Sequence, residues 1–318
     1  MSGSLRLNQR AAQVAEAYLV DEDALRVKLH DAGQGAVIVD AGVHVPGGLQ
    51  AGIALAEIGM SGLASVQVQP RLDPEMPLAA VAVHTDAPVA ACLASQYAGW
   101  QLTDAGYFAM ASGPMRAAAG REELFETIGH RETSEVAVGV LESSALPPAE
   151  VCAAVAQKCD VPLRQLQLWV APTSSLAGAM QIVARSVETA MHKLLELGFD
   201  VQRVISGAGI APIPPTGGDD LVAMGRTNDA ILYGGDVVLW VNGDDDTLND
   251  LVDRIPSRAS DDFGRPFAEL FEAYDRDFFK VDKLLFSPAR IKLINLETGR
   301  SFESGALAYD VLRRSFGN

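Results

Sequence analysis

Arg185, Glu188 and His192 stand in the stretch QIVARSVETAMHK (181–193). As a helix, the stretch puts these three side chains on one side, because residues three and four apart stack on neighbouring turns. The neighbours on that face are small or apolar: Ile182, Ala184, Val187, Ala190 and Met191. Two readings suit such a group. One is a surface ion pair. The other is a catalytic water site, in which the carboxylate takes a proton from water and the arginine aims it. His192, one turn on, either extends that network or packs.

Further polar groups fall in loops of small residues. DAGVHVPGG (40–48), ASGPMRAAAG (111–120), APTSSLAGA (171–179), SGAGIAPIPP (206–215) and AMGRTNDAILYGG (223–235) each border a strand signal. Their backbone N–H groups are not screened by bulky side chains, so an extended ligand could lie against them; ordinary turn chemistry is the alternative. Ser112 and Arg116 in one, and Thr173, Ser174 and Ser175 in another, precede helix signals, where a helix N-terminus could hold a phosphate. In CLASQYAGWQL (92–102), Ser95, Gln96, Tyr97 and Trp100 stand together. A flat heterocycle would stack on the aromatic rings and bond to the glutamine; a helix end burying its aromatics fits equally well. Arg226, Thr227, Asn228 and Asp229 form a polar run that reads as a binding loop or a tight turn.

Several chemistries find no motif. The five histidines are scattered, with no HxH or HxxxH pair, so the sequence offers no metal site. There is no dinucleotide fingerprint, phosphate-binding P-loop or nucleophile elbow. The formal net charge of −16 argues against nucleic acid and anionic membrane as partners. Three cysteines without a CxxC pair point to buried thiols in a reducing compartment. No apolar run approaches the roughly 18 residues of a membrane span.

The elements that must position these groups alternate along the chain. Strand signals occur at 35–42, 64–70, 78–85, 135–143 and 166–172. Helical signals occur at 47–60, 88–100, 121–129, 147–160 and 181–193, and the N-terminal stretch reads as an amphipathic helix with Leu5, Ala12, Val14 and Leu19 among polar residues. Segments 229–243 and 290–305 read as hairpins, the first turning at Gly234–Gly235. The acidic run 243–254 reads as a solvated helix start. The fold class is α/β, an α+β mixture. A strand, a small-residue loop and a helix recur at 46–52 and 172–179, and with Pro147–Pro148 they suggest two α/β domains, 1–146 and 147–318.

The stretches VPGGLQAGIALAEIGMSGL, ACLASQYAGW, SGPMRA, LESSALPP, APTSSLAGAMQIVARSVETAMHKLLELGFDV, SGAGIAPIPP, AMGRTNDAILYGG and FAELFEAYDRDFFKVDKLLFSPARI run in order over nearly the whole chain. Together they resemble the methenyltetrahydromethanopterin cyclohydrolase family. The resemblance implies two α/β domains with the substrate pocket between them, a homotrimer, and a cytoplasmic enzyme of pterin-linked one-carbon metabolism without metal or redox cofactor. It implies that Arg185 and Glu188, in the pattern ARxxET, are the catalytic pair. Ser95, Gln96, Tyr97, Ser112, Arg116, Thr173, Ser174, Ser175, Arg226, Asn228 and Asp229 are then candidates to bind the pterin, with Arg116 placed for an anionic part of it. Two alternatives stay open: a non-catalytic tetrahydropterin carrier, and a related C–N hydrolase acting on a folate.

Overall fold

The computed structural model describes residues 5–33, 35–70, 74–277 and 280–317. Among these residues the strands are β1 (Lys28–Asp31), β2 (Val37–Asp40), β3 (Ala64–Pro70), β4 (Ala79–Thr85), β5 (Trp100–Leu102) and β6 (Ala109–Ser112). They continue with β7 (Ala137–Glu142), β8 (Leu166–Ala171), β9 (Val204–Pro212), β10 (Asp236–Val241), β11 (Arg290–Asn295) and β12 (Ser301–Gly305). The chain forms two compact units. One comprises Met1–Ser65 with Ala90–Gln181, the other Val66–Val89 with Ile182–Asn318. Residues 137–158, which straddle the expected boundary at 146/147, lie inside the first unit, because the helix Ala149–Lys158 shares one core with β7.

The first unit is built on a sheet of order β1-β2-β8-β7-β6-β5. Its centre, β2, β8 and β7, is parallel; β1, β6 and β5 run antiparallel to their neighbours. Successive side chains on a strand face opposite sides, so both faces need a cover. On one side Ile38, Leu141, Leu168 and Val170 pack with Val151, Cys152, Val155 and Ala156 of the helix Ala149–Lys158. On the other, Val39, Val138, Val140 and Trp169 pack with Ala11 and Ala15 of the helix Leu7–Tyr18 and with Ala51, Ala54, Leu55 and Ile58 of the helix Leu49–Gly59. The N-terminal helix buries Leu7, Asn8, Ala11 and Ala15, with Ala12, Val14 and Leu19 packed half-buried against the same core as expected, whereas Leu5 is exposed. Asn8 sets this rotation: its Oδ1 accepts from Val138 N at 3.0 Å and its Nδ2 donates to Pro114 O at 2.8 Å.

The second unit carries a sheet of order β12-β11-β10-β9-β4-β3, in which β10 and β11 are parallel. The hairpin expected at 290–305 is present as β11 and β12, with Arg290 opposite Gly305. The hairpin expected at 229–243 is not. Residues Asp220–Leu232 form a helix, capped by Asp219, whose carboxylate accepts from Val222 N at 2.8 Å. The chain turns after it, and β10 pairs with β9 and β11 instead. The loop expected at 206–215 is largely strand β9. Asp244 caps the acidic helix Asp245–Val252 by accepting from Thr247 N, as the reading of 243–254 implies. No helix among the described residues is long and apolar enough to cross a membrane.

Candidate active site

Arg185 and Glu188 lie in the second unit, but not within one continuous helix. A helix Leu176–Val183 ends, Ala184 and Arg185 turn, and a second helix, Ser186–Glu196, begins. Arg185 N bonds to Ile182 O at 3.0 Å, a tight turn, and Arg185 O accepts from Thr189 N at 2.8 Å. Arg185 is therefore the N-cap and Glu188 the third residue of the first turn. A helix N-terminus carries partial positive charge that suits an anion. The break changes the geometry expected from an unbroken helix: the pair marks a helix start rather than a helix face. Both are buried, Arg185 to 6% and Glu188 to 4% exposure, which rules out a surface ion pair.

The helix is pressed onto β9. A Cβ at Gly209 would lie 2.5 Å from Ser186 Oγ, and one at Gly207 would lie 2.7 Å from a Val187 methyl. Glycine at these two strand positions lets the residues between Arg185 and Glu188 touch the sheet backbone. Thr189 Oγ1 adds a bond to Ser186 O at 2.9 Å. His192 points along the helix, with Nε2 3.7 Å from Glu196 Oε1. Burial lowers its pKa, against the pull of Glu196. Lys193 is fully buried and donates to Leu284 O; burial pushes its ammonium down to about 8.

Ser95, Gln96, Tyr97, Ser112 and Arg116 come together in the first unit. The expected helix at 88–100 is an eight-residue π-helix, Val89–Gln96, followed by β5. Tyr97 N bonds to Cys92 O at 2.8 Å, five residues back. Arg116 holds the wide carbonyl end of this helix. Its NH1 donates to Leu93 O at 3.3 Å and Ser95 O at 3.2 Å, its Nε to Glu122 Oε1 at 2.8 Å, and its NH2 to Glu122 Oε2. The guanidinium lies 5.0 Å from the Tyr97 ring centre and 5.3 Å from that of Phe125. At 1% exposure and with these partners, Arg116 is engaged by the protein and is not presented to a substrate anion. Ser95 Oγ pairs with Ser61 Oγ at 2.8 Å, and Ser112 Oγ donates to Val140 O at 3.4 Å.

Thr173, Ser174 and Ser175 lie at a different end of the same sheet. Ser112 stands opposite Val140, and Gly113 packs by Val138 and Gly139, toward the amino end of β7. Thr173–Ser175 instead follow the carboxyl end of β8, beside the carboxyl end of β7. There Ser175 Oγ donates to Pro172 O at 2.8 Å and accepts from Gly178 N at 3.0 Å. The adjoining polar residue is Glu142, the last of β7, whose Oε1 accepts from Gln181 Nε2 at 3.2 Å. Both lie in quoted stretches, LESSALPP and QIVARSVETAMHK, where neither is singled out. The signal is a carboxylate that ends an otherwise fully buried strand just before Ser143–Ser144.

Arg226, Asn228 and Asp229 sit on the helix Asp220–Leu232 rather than on a loop. Arg226 donates to Ser315 O and Pro215 O, each at 3.3 Å, and Asn228 Nδ2 to Met224 O at 2.9 Å. Asp229 is fully buried, and its Oδ1 accepts from Phe267 N at 2.8 Å. Burial pushes its carboxyl up to about 7. The bonds of Arg226 and Asp229 hold chain segments together within the unit, and that of Asn228 stays within its helix.

The arrangement is that of an α/β protein with polar groups at parallel-strand ends in one unit and an arginine and carboxylate at a helix start in the other. Residues 6–316 match the family model described as Cyclohydrolase (MCH). The chain belongs to that family. It is 49% identical over 308 residues to the methenyltetrahydromethanopterin cyclohydrolase of Xanthobacter autotrophicus, covering 96% of this chain and 91% of that one. To the protein of that name from Rhodopirellula baltica it is 47% identical, covering 89% and 86%. To that from Methanococcoides burtonii it is 40% identical, covering 98% of each.

Proposed function

We propose that this protein hydrolyses the methenyl bridge of 5,10-methenyltetrahydromethanopterin to the 5-formyl compound. The observation that carries the mechanism is Glu188, a buried carboxylate in the first turn of a helix whose N-cap is Arg185. The substrate's methenyl carbon lies between two nitrogens in a cationic amidinium and is electrophilic as it stands. Water oxygen forms a bond to this carbon, and Glu188 takes a water proton, giving a neutral carbinolamine. The bond from that carbon to N10 then breaks. N10 receives the proton from Glu188, the hydroxyl proton leaves to solvent and a formyl group remains on N5. Cation and water thus become a neutral formyl product and one proton. Arg185 orients Glu188 and compensates its charge; its planar fork is suited to that task.

Nothing in these steps transfers electrons, so the reading needs no redox cofactor, and the carbon needs no Lewis acid. Thr173, Ser174 and Ser175, half-buried at a strand end, are the binding candidates whose position best suits a ligand. Gln96 and Tyr97 support the reading less directly, through the π-helix that Arg116 holds. We also place the protein in the cytoplasm as a homotrimer, on the strength of the family resemblance. The test of the function is to mix purified protein with the methenyl pterin and follow its near-ultraviolet absorbance. Catalytic loss of absorbance is expected. Stoichiometric binding without loss would establish a carrier instead, and turnover of a methenyl folate in preference would move the substrate.

A further inference from the structure

We infer, on the reading of Glu188 as the base, that Lys193 is a positioning residue for the hydrolysis: bonded to Leu284 O, its ammonium holds the helix Ser186–Glu196 in the orientation that aims Glu188. Lys193 acts through Glu188 and not on the substrate.

The helix is seated at two places. Its first turn meets β9, where Gly207 and Gly209 leave room for Val187 and Ser186. Its last turn carries Lys193, which is fully buried and donates to Leu284 O. Leu284 lies in the short turn Lys283–Leu285, and that turn is itself fastened. Asp282 caps it, with Oδ1 accepting from Leu284 N at 2.9 Å. Asp282 Oδ2 accepts from Ser260 Oγ at 2.5 Å, and Asp282 N donates to Asp262 Oδ2 at 3.0 Å. Asp262 Oδ1 in turn accepts from Tyr274 OH at 2.8 Å. Lys193 therefore ties the helix to a carbonyl whose place is set by a chain of hydrogen bonds.

Close contact with glycines fixes how near the helix lies to the sheet. It resists roll about the helix axis less well, since a glycine has no side chain to interlock. Glu188 and Lys193 are five residues apart, about 7.5 Å along the axis and about 140° around it. A bond at Lys193 stops the roll. A roll of about 10° would carry a carboxylate roughly 6 Å from the axis through about 1 Å. Misplacement on that scale can cost on the order of 10² in rate.

Stability alone does not account for a lysine here. Desolvation disfavours a buried ammonium, and a methionine would fill similar space with no charge to bury. Burial pushes the ammonium down to about 8, so it is still charged at pH 7. Asp282 faces it from the turn and favours the charge; Arg254, just past the helix Asp245–Val252, opposes it. On its own helix His192 lies by Glu196, with Lys283 facing His192. β9 and β10 meet the helix with Gly207, Gly209, Val237 and Leu239, which carry no charge. The partial negative end of the helix also suits a cation in its last turn.

Lys193→Met keeps the bulk and removes the ammonium. On the methenyl pterin at pH 7, kcat should fall roughly 10- to 100-fold with KM within about threefold, because aim is lost and binding is not. In the unaltered protein kcat should decline as pH rises through about 8, where Lys193 gives up its proton and the bond loses its charge. The methionine variant should lack that limb. Hydrogen exchange needs no turnover and reads the seat of the helix directly. The amides of Ser186–Glu196 should exchange severalfold faster in the variant at pH 7, and those of the helix Ala149–Lys158 should not change. A kcat within about twofold of the unaltered protein's overturns the inference. So does a limb that the unaltered protein lacks or the variant keeps, or a loss of protection that extends to Ala149–Lys158. Should the methionine variant fail to fold, Lys193→Gln, which keeps a donor one atom shorter and uncharged, should lose less kcat and also lack the limb; unchanged kcat or a retained limb counts against the proposal in the same way. If the unaltered protein does not hydrolyse the methenyl pterin, or Glu188→Gln does so normally, the reading of the reaction or of its base fails, and the exchange comparison still decides whether Lys193 seats the helix.

Discussion

At the scale of the residue, burial separates the readings of the arginine and glutamate. An exposed pair would be worth roughly 0.2–1 kcal/mol of stability and nothing in catalysis. Arg185 and Glu188 are both under a tenth exposed, at a helix start, and a base of this kind contributes on the order of 10²–10⁴ in rate. Glu188→Gln keeps the shape and loses the proton acceptor, so kcat should fall by about that factor with the fold intact. Single-turnover and steady-state assays on the methenyl pterin measure it; near-normal kcat would place the base elsewhere. Arg185→Lys should recover only part of what Arg185→Ala loses, and Glu188→Gln with Arg185→Ala should cost less than the product of the two, since both act on one water. Asp229 gives a different prediction. Its carboxyl is pushed from 3.8 up to about 7 by burial. Between those values the folded state keeps a proton that the unfolded state gives up, so this residue's contribution is present below pH 4 and is lost as pH rises through 7. Asp229→Asn, which can still accept from Phe267 N, should remove that slope. Urea unfolding at pH 5 and pH 8 should show the wild-type protein losing about 1–3 kcal/mol more than the variant between the two.

At the scale of the element, the legible parts were those whose pattern is local. β3, β4, β7, β8 and the β11–β12 hairpin follow apolar alternation or apolar runs, and the helix Ala149–Lys158 follows its period and its leading prolines. The failures share a cause: a tertiary partner decided the outcome. Glycines in SGAGIAPIPP suggest a loop, yet they are strand residues, small because the helix Ser186–Glu196 lies on them. The π-helix at 89–96 depends on Arg116, twenty residues further along, for its carbonyl end. Of the site, the catalytic candidates were legible through the motif. The engagement of Arg116 was not, since its bonds to Leu93 O, Ser95 O and Glu122 depend on tertiary contacts that its place before a helix does not show. The β9 packing makes a test. Gly209→Ala places a Cβ 2.5 Å from Ser186 Oγ and 3.1 Å from methyls of Val187 and Val237, so the serine must turn away and the helix must give by a few tenths of an ångström. A loss of about 1–3 kcal/mol of stability is expected. The shift should also reach Glu188 two residues on, so kcat should fall further than the same loss of stability produces when introduced on the remote helix Ala149–Lys158. Thermal melts and kinetics on both variants make the comparison; an unchanged kcat would show that the close approach is packing alone.

At the scale of the whole molecule, the chain passes back and forth between its two units, at 65/66, 89/90 and 181/182, so neither unit is a contiguous segment that truncation would isolate. The formal charge of −16 suits a cationic substrate and disfavours polyanions as partners. If the protein is a homotrimer, light scattering should return about three times the 33.7 kDa chain mass at micromolar concentration. The proposed chemistry also constrains what the whole molecule needs to contain. A zinc or magnesium ion assists hydrolysis by polarising an oxygen or by making hydroxide from bound water. Here the attacked carbon already carries amidinium charge. A second cation beside it would oppose the substrate's own, and a neutral water with a carboxylate base is sufficient. Exhaustive dialysis against a strong chelator should therefore leave kcat and KM on the methenyl pterin unchanged, and elemental analysis of the active protein should find well under one metal ion per chain. Loss of activity on chelation, with recovery on adding back one particular metal, would replace Glu188 as the source of the nucleophile and make it a ligand or a positioning group instead.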